Sequence, residues 1–445
     1  AQALVNCLTG KPPAPPRLKA LLCCALALLS EDEPGYADHT VVDQAVTACA
    51  ADRELMRAKG MVNAVLRRLL RERSALLAQL RQREDLRWNY PPWWIAHLQA
   101  AYPSQWEQVL AAGNAQPPLT LRVNLRKATV ASTLEGFARA GIEARQVGPV
   151  ALRLARPRPV HEIPGFADGC VSVQDAAAQL AAPLLDLRDG MRVLDACAAP
   201  GGKTGHLLET AQLDLLALDQ DPVRLQRVAQ NLDRLKLKAE LRRGDAAASD
   251  WWDGQAFDRI LADVPCTASG IVRRHPDIRW LRRPDDAVQL AALSATILDN
   301  LWTMLKPGGK LLLVTCSLWP EESEAQASRF AARTGARRLA APGQLLPVAS
   351  ADDDHDDRTP LLGGRRRLGR LRIDQNDRDL VRSQPGDAVG DQAPYQGLDR
   401  IEVVAFLVLD EHSRRRRHAG LARDRAREQG LAGAGRADQQ HAARH

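Results

Sequence analysis

Four short apolar runs alternate with helical stretches in the second half of the chain, and this alternation constrains the fold more than any other feature. The runs are Met191–Leu194, Leu215–Leu218, Arg259–Ala262 and Lys310–Val314. Strands that alternate with helices predict βαβ units and a doubly wound parallel sheet. Ligands of such sheets bind beyond the carboxyl ends of the strands. Because a polar or cysteine-bearing turn follows each run, we expect the functional site at that edge.

The turn after the first run, Asp195–Thr204, ends in Gly-Lys-Thr and is first compared with a phosphate-binding loop. That motif requires a glycine six residues before the lysine, and the chain has Cys197 there, with Pro200 further along the loop. We therefore exclude a nucleoside triphosphatase. A loop of small residues still lets a ligand approach the backbone closely at a helix N-terminus.

Acidic residues follow successive strands of the predicted sheet. Asp219 ends the second run, and Asp245 follows in a Gly-Asp-Ala turn. An acid at the first of these positions can accept hydrogen bonds from both ribose hydroxyls, and the second fits a contact to an adenine amino group. Each carboxylate alone is more often a cap or a turn former. Together with the small-residue loop, they favour a cofactor that contains a nucleoside.

Two cysteines lie directly after neighbouring runs. Cys266 closes an Asp-Val-Pro-Cys turn, and Cys316 stands in Thr-Cys-Ser. Free cysteine is commonly buried as a small apolar residue, which is the alternative interpretation. A thiolate becomes a strong nucleophile when its pKa is lowered. Two cysteines at the predicted functional edge, each beside polar residues, favour the chemical role.

Several stretches resemble the RNA 5-methylcytosine methyltransferases, in particular the branch with a NusB-like helical N-terminal domain that modifies 16S (small-subunit) ribosomal RNA. The resemblance extends from about residue 15 to 356. In the catalytic half it is carried by Asp195–Thr204, Asp219–Pro222, Asp263–Cys266, Ser269–Trp280 and Leu305–Glu324. Earlier in the chain it is carried by Tyr36–His39, Val62–Arg68, Asn114–Asn124 and Val173–Ala176.

The resemblance implies S-adenosyl-L-methionine as the cofactor and a cysteine thiolate as the nucleophile. Carbon 5 of cytosine is a poor nucleophile, and addition of a thiolate at carbon 6 turns the ring into an enamine that can attack a methyl group. By this resemblance Cys316 is the thiolate, Cys266 assists release of the methylated base, and Asp263 hydrogen-bonds and protonates the ring nitrogen. DNA cytosine methyltransferases use a Pro-Cys nucleophile instead. Cys266 would then attack, and Cys316 would be unexplained.

The same resemblance assigns binding residues around these catalytic groups. The expected cofactor-binding residues are Cys197, Ala198, Ala199, Pro200, Gly201, Gly202 and Lys203, with Asp219, Asp245 and Asp263. A basic segment follows Cys266, and beside a pocket that must take a base out of a structured RNA its expected role is phosphate contact. The expected RNA-binding residues are Arg273, Arg274, His275 and Arg279.

The predicted architecture is α/β, with a Rossmann-like S-adenosylmethionine methyltransferase sheet as its catalytic part. We expect an all-helical NusB-like domain over residues 1–80, N-terminally incomplete, and a small α+β RNA-binding module over 81–169. The catalytic domain is expected over 170–356.

Residues 357–445 are expected to form an atypical tail. This stretch contains arginine but no lysine and no tryptophan, which suggests a shifted reading frame or a disordered extension. In the resembling family a strand completes the sheet here, and if that strand is lost the sheet exposes an edge; the only later strand-like run is Ile401–Leu409. The functional prediction does not depend on this tail, because all the catalytic motifs precede Asp357.

Charge and cysteine content exclude several other classes of protein. The net charge of +7 comes mostly from the tail, so the case for RNA rests on local arginine clusters. Eight cysteines form no C-x-x-C pair, which argues against zinc and against a disulfide framework. The apolar run Ala20–Leu29 is about half of a membrane span.

We expect a cytoplasmic monomer that binds no metal and no membrane, with 16S ribosomal RNA as its partner. Transfer RNA, large-subunit RNA or a catalytically impaired RNA-binding assembly factor remain alternatives.

Overall fold

The computed structural model describes residues 1–30, 35–347 and 404–410. The chain divides into two compact units, Ala1–Gln99 and Ala100–His445. The first boundary therefore lies beyond residue 80, where the helical domain was expected to end. No helix in the described part of the chain is long and apolar enough to cross a lipid bilayer.

The first unit is helical, as the periodicity predicts. Its core is built from leucines and valines one helical turn apart, such as Leu22 and Leu26 or Val62 and Leu66, which are fully buried. Residues four apart lie on one face of a helix, so each helix presents an apolar stripe to the others. The helices are α1 (Gln2–Thr9), α2 (Pro16–Leu28), α3 (Asp38–Ala51), α4 (Lys59–Arg81), α5 (Glu84–Trp88) and α6 (Pro92–Ala101).

The second unit begins with a small antiparallel sheet, whose strands lie in the order β2-β3-β1-β4. Apolar and polar residues alternate over Leu119–Asn124, which is typical of a strand, and this stretch contains β1. Phe137 of α8 packs on this sheet in one core cluster with Leu121 and Leu152. Because β4 belongs to this sheet, the small module extends past residue 169. The elements are α7 (Trp106–Asn114), β1 (Thr120–Val123), α8 (Val130–Arg139), β2 (Ala144–Gln146), β3 (Ala151–Leu154) and β4 (Val171–Val173).

The large sheet has seven strands in the order β10-β11-β9-β8-β5-β6-β7. Strands β7, β6, β5, β8 and β9 are parallel to one another, so the predicted parallel sheet is confirmed. Successive residues face opposite sides: Val193 and Leu194 belong to different core clusters. The strands are β5 (Arg192–Ala196), β6 (Asp214–Asp219), β7 (Glu240–Arg243), β8 (Phe257–Asp263), β9 (Leu305–Thr315), β10 (Arg337–Leu345) and β11 (Val404–Asp410).

Helices cover both faces of this sheet, which is why its strands read as continuous apolar runs. Leu207 and Val228 pack in one cluster, and Leu298 and Phe330 pack in the other. The helices are α9 (Ala181–Leu184), α10 (Gly202–Thr210), α11 (Pro222–Leu235), α12 (Ile278–Leu281), α13 (Asp286–Thr303) and α14 (Glu324–Thr334).

The strand β11, which lies largely within the strand-like run Ile401–Leu409, completes the sheet between β9 and β10. This strand pairs antiparallel with β9 on one side and with β10 on the other. Ala405 lies opposite Thr315, and Leu409, opposite Leu311, is fully buried. An apolar strand can fill this place whatever its exact sequence, because the ladder uses backbone groups. The rest of residues 357–445, with the predictions made for them, lies outside the described residues, as does the acidic run Asp352–Asp357.

Candidate active site

The residues predicted to carry chemistry meet at the carboxyl ends of β5, β6, β8 and β9. Three contacts join these strand ends. Lys203 lies 2.7 Å from Asp263, the thiol sulfurs of Cys266 and Cys316 are 3.4 Å apart, and the amide of Ala199 donates to Asp219. The structure therefore brings the predicted cofactor loop and both cysteines to a single edge of the sheet.

The two cysteines are neighbours because β8 and β9 are adjacent parallel strands. The ladder continues just beyond β8, where the amide of Val264 donates to the carbonyl of Val314 at 3.2 Å. Each cysteine then follows its strand by a few residues, which places their sulfurs within hydrogen-bond distance. Both thiols are free and partly exposed.

The two thiols differ in their pKa values. The pKa of Cys316 lies below its ordinary value, chiefly because its sulfur accepts a hydrogen bond from the thiol of Cys266. Burial and Asp263 oppose this effect, and the ammonium of Lys203 supports it. The pKa of Cys266 lies well above its ordinary value because that thiol keeps the shared proton. Of the two cysteines, Cys316 is therefore the better thiolate and Cys266 the proton donor.

Lys203 and Asp263 form an ion pair beside the thiols. Lys203 is in the first turn of α10, and Asp263 is the last residue of β8, so their contact links the loop after β5 to the next strand. Burial alone would lower the pKa of Lys203, but the carboxylate of Asp263 raises it above its ordinary value. The lysine is thus held as a cation, which favours a negative charge on a nearby sulfur.

The loop after β5 is held from several sides. Its carbonyls at Ala199 and Gly201 accept hydrogen bonds from Arg224 and Asn231 of α11, at 2.9 and 3.1 Å. Gly201 has φ 93°, and a Cβ there would lie 3.1 Å from Val228, so α11 approaches too closely for a side chain. The loop is therefore rigid and small at the N-terminus of α10.

This loop also fits a ligand with a nucleoside and a charged group. A Cβ on Gly202 would meet nothing within 4 Å, so the N-terminus of α10 is open, and the first amides of a helix have no partner within it. Asp195 beneath the loop is fully buried, which raises its pKa to about 7. One of its oxygens accepts from Thr204 at 2.6 Å, and the other has no partner among the described residues. These residues provide both donors and acceptors.

The two acidic residues predicted to contact the nucleoside, Asp219 and Asp245, differ in their exposure to solvent. Asp219 is almost fully buried, and its second oxygen accepts the amide of Asp221 at 3.0 Å. Asp219 thus orders the strand ends of β5 and β6 whatever else it binds. Asp245 lies beyond β7 and is exposed, and its carboxylate accepts the amide of Ala247 at 2.9 Å. Both remain predictions as cofactor contacts.

Three of the four predicted RNA-binding residues are engaged inside the protein. Arg279 is only 2% exposed and donates to Asn114 and to the carbonyl of Gly113. Arg274 donates to the carbonyl of Pro118 at 3.0 Å, and Arg273 is buried. The guanidiniums of Arg274 and Arg279 thus anchor the segment between α7 and β1, and RNA contact by Arg273, Arg274 and Arg279 stays a prediction. His275 is exposed.

Sequence reasoning gave no role to a buried polar cluster behind the two cysteines. Glu322 lies at its centre and accepts hydrogen bonds from Thr267 and Ser317, while Ser269 contacts both hydroxyls. The sequence does contain a pattern that points to this cluster. A hydroxyl residue follows each cysteine directly, and an acidic residue stands six residues after Cys316. Across the described residues no group of acids, histidines and cysteines forms a possible metal site.

A second missed residue is Arg122 of β1, which is 1% exposed. Its guanidinium lies 2.7 Å from Glu209 of α10 and also donates to Gln174 and to the carbonyl of Gly202. Arg122 therefore connects the small sheet with the start of α10, where the candidate cofactor loop ends. Only tertiary structure reveals this, because a lone arginine in a strand carries no sequence signal.

The strand order, the small-residue loop after the central strand and the acids after its neighbours define a Rossmann-like methyltransferase. Comparison with known proteins agrees. The family model for the 16S rRNA methyltransferase RsmB/F matches residues 182–347, and the ferredoxin-like domain of RsmF/B-like methyltransferases matches residues 90–161. The chain belongs to the RsmB/F family of methyltransferases.

Curated relatives support this family membership. Ribosomal RNA small subunit methyltransferase B of Vibrio cholerae is 46% identical over 325 residues, which cover 71% of this chain and 75% of that protein. The protein of the same name from Pseudomonas syringae pv. tomato is 48% identical over 324 residues, covering 71% and 72%.

Among solved structures, PH0851 matches with a TM-score of 0.67 at 22% identity, covering 92% of this chain and 86% of that one. NSun6 from Pyrococcus horikoshii, solved with SFG, has a TM-score of 0.55 at 17% identity, covering 73% and 98%. At these identities the matches establish the fold.

Proposed function

We propose that this protein transfers a methyl group from S-adenosyl-L-methionine to carbon 5 of a cytosine in 16S ribosomal RNA. The observation that carries this proposal is the pair of thiols 3.4 Å apart, of which Cys316 has the lowered pKa. A second cysteine that holds a proton beside a thiolate suits a reaction in which a covalent adduct forms and is later released. The names of the curated relatives support ribosomal RNA of the small subunit as the substrate.

The proposed reaction begins at Cys316. Its thiolate adds to carbon 6 of the cytosine, and Asp263 stabilises the adduct through the ring nitrogen. Carbon 5 then becomes nucleophilic and takes the methyl group that the cofactor supplies. A water molecule takes the proton from carbon 5, the electron pair left behind restores the aromatic ring as the Cys316 thiolate leaves, and we assign to Cys266 the hydrogen bond that stabilises this leaving sulfur. Lys203 keeps its positive charge beside these groups throughout.

The cofactor is assigned to the loop from Cys197 to Lys203, with Asp219 and Asp245 beyond the neighbouring strands. The open N-terminus of α10 suits the carboxylate of an amino acid, and exposed Asp245 suits a nucleobase amino group. Binding of SFG, an analogue of S-adenosylmethionine, to the fold relative NSun6 supports the same kind of ligand. The assembly-factor alternative was motivated by the tail after Asp356, of which the structure describes only β11.

The test is a methylation assay with three RNAs and a labelled cofactor. We expect label in undermodified 16S RNA, recovered as 5-methylcytosine after digestion and mass spectrometry, and much less in transfer RNA or 23S RNA. Label in another nucleoside would overturn the reaction, and preferential labelling of another RNA would overturn the substrate.

A further inference from the structure

Both residues that follow the active-site cysteines are held by the same buried carboxylate. Glu322, in the turn Pro320–Glu322, is 1% exposed. One of its oxygens accepts the backbone amide of Thr267 at 2.8 Å, and the other accepts the hydroxyl of Thr267 at 2.6 Å and the hydroxyl of Ser317. Thr267 directly follows Cys266, and Ser317 directly follows Cys316.

From this geometry we infer that Glu322 is a positioning residue, which fixes the distance and orientation of the Cys266 and Cys316 thiols. The inference rests on the proposed function, because it assigns Glu322 a part in the reaction of those thiols. Glu322 acts on each thiol through the residue that follows it, by way of the backbone amide and hydroxyl of Thr267 and the hydroxyl of Ser317.

Further hydrogen bonds make this cluster rigid. The hydroxyl of Ser269 lies 3.1 Å from that of Thr267 and 3.2 Å from that of Ser317. It also accepts the amide of Leu318 at 2.7 Å, and the amide of Gly270 donates to the carbonyl of Cys316 at 2.9 Å. The two cysteine loops are thereby tied to each other at several points.

A carboxylate suits this place better than an amide or an apolar group. Burying it is costly, and burial raises the pKa of Glu322, while its three donors oppose that rise. A glutamine would fill the same volume, but its uncharged amide nitrogen would replace the oxygen that accepts from both hydroxyls, so Thr267 and Ser317 would have to reverse and accept instead. Two charge-assisted hydrogen bonds would become weaker ones, and the two loops would be held less firmly.

The positioning effect and the charge of Glu322 have opposite consequences for Cys316. The negative charge of Glu322 raises the pKa of both thiols, whereas the hydrogen bond from Cys266 lowers the pKa of Cys316. The other charged groups that face Cys316 are Asp263 and Lys203, and Arg282 faces Glu322. If Glu322 acted only through charge, Glu322→Gln would lower the pKa of Cys316. If it positions the thiols, the substitution raises that pKa because the bond from Cys266 is lost.

The experiment measures the alkylation rate of Cys316 by iodoacetamide against pH, by peptide mass spectrometry of the free full-length protein. We expect Glu322→Gln to move the midpoint upward by on the order of one pH unit and to lower kcat at least tenfold with little change in KM for RNA. Glu324→Gln is the matched control, because Glu324 is two residues away in an exposed ion pair with Arg338. Thr267→Val keeps the charge and should shift the midpoint in the same direction.

A midpoint that falls or stays unchanged in a folded Glu322→Gln protein would overturn the inference. If that protein fails to fold, Thr267→Val decides the question in the same way. Because alkylation needs no RNA, the measurement stands apart from the methylation assay. Loss of the proposed function would show in the wild-type assay, whereas loss of the positioning role would show only in the variants.

Discussion

The ammonium group of Lys203 lies 2.7 Å from a carboxylate oxygen of Asp263. This contact joins the helix that follows the candidate cofactor loop to the strand that leads to Cys266. The pair is mostly buried, so its charges are less screened than those of a surface pair. The pair therefore couples the candidate cofactor loop to the electrostatic environment of the Cys316 thiol.

Lys203→Gln should raise the pKa of Cys316. The substitution removes the cation that favours the thiolate and leaves Asp263, whose charge disfavours it. In the wild-type protein the alkylation midpoint should lie below the ordinary cysteine value of about 8.5, and the variant should move it upward. Lys310→Gln is the control, because Lys310 pairs with Asp186 instead. Equal midpoints in wild type and Lys203→Gln would contradict the assigned electrostatics.

The two cysteines should give opposite phenotypes. Cys316→Ala should abolish methylation and form no covalent RNA complex, since the attacking sulfur is gone. Cys266→Ala should retain attack but release the product slowly, so a protein–RNA adduct should accumulate on denaturing gels. Cys24→Ala, at an exposed cysteine in the first unit, should behave as wild type. Turnover by Cys316→Ala would refute the nucleophile, and normal turnover by Cys266→Ala without an adduct would refute its role in release.

Arg122→Leu should destabilise the protein by about 3–5 kcal/mol, because it leaves Glu209 buried without its partner. Urea unfolding measures the change. The double variant Arg122→Leu with Glu209→Leu should recover part of the loss, since no charge then remains buried. Arg338→Leu breaks an exposed pair with Glu324 and should cost at most about 1 kcal/mol. If Arg122→Leu costs no more than Arg338→Leu, the buried pair is not formed.

Leu409→Ala tests the closing strand. Leu409 is fully buried in the same core cluster as Leu311, so its truncation should cost about 2–5 kcal/mol. Leu281→Ala removes the same atoms from a side chain that is 69% exposed and should change stability by about 0.5 kcal/mol or less. Thermal unfolding of the full chain compares them. Equal melting temperatures for the two variants would place Val404–Asp410 outside the sheet.

The sequence was sufficient to predict which strand ends meet. Parallel strands share one edge at their carboxyl ends, so runs that end before Cys197, Asp219, Asp263 and Cys316 had to bring these residues together. In the first unit apolar residues recur at helical spacing over Arg17–Leu29, Thr40–Ala51 and Gly60–Leu80, and these ranges agree with α2, α3 and α4 to within a few residues.

The hydrogen-bond partners of the arginines after Cys266 could not be predicted in the same way. Arg279 binds Asn114, which lies 165 residues earlier in the chain, and nothing in local spacing reveals such a partner. An arginine beside an active site has the same sequence signature whether it contacts phosphate or a backbone carbonyl. Glu322 was missed because an acidic residue near a turn is usually exposed to solvent and not buried.

The position of the closing strand in the sheet could not be predicted, because it depends on pairing with distant strands. Val404–Asp410 reads as an isolated apolar run, and only β9 and β10 give it a place. Antiparallel insertion between two existing strands needs apolar side chains and free backbone groups, and it leaves no motif of its own.

This strand order has a consequence for synthesis on the ribosome. The strand β9, which leads directly to Cys316, is translated well before β11, its outer neighbour in the sheet. Translation at about 5–20 residues per second leaves an interval of seconds between the end of β10 at Leu345 and the emergence of Val404. During that interval the apolar edge at Leu311–Val314 lacks its final partner, and such edges are templates for association with other chains. The nascent protein thus completes this side of its sheet late in synthesis.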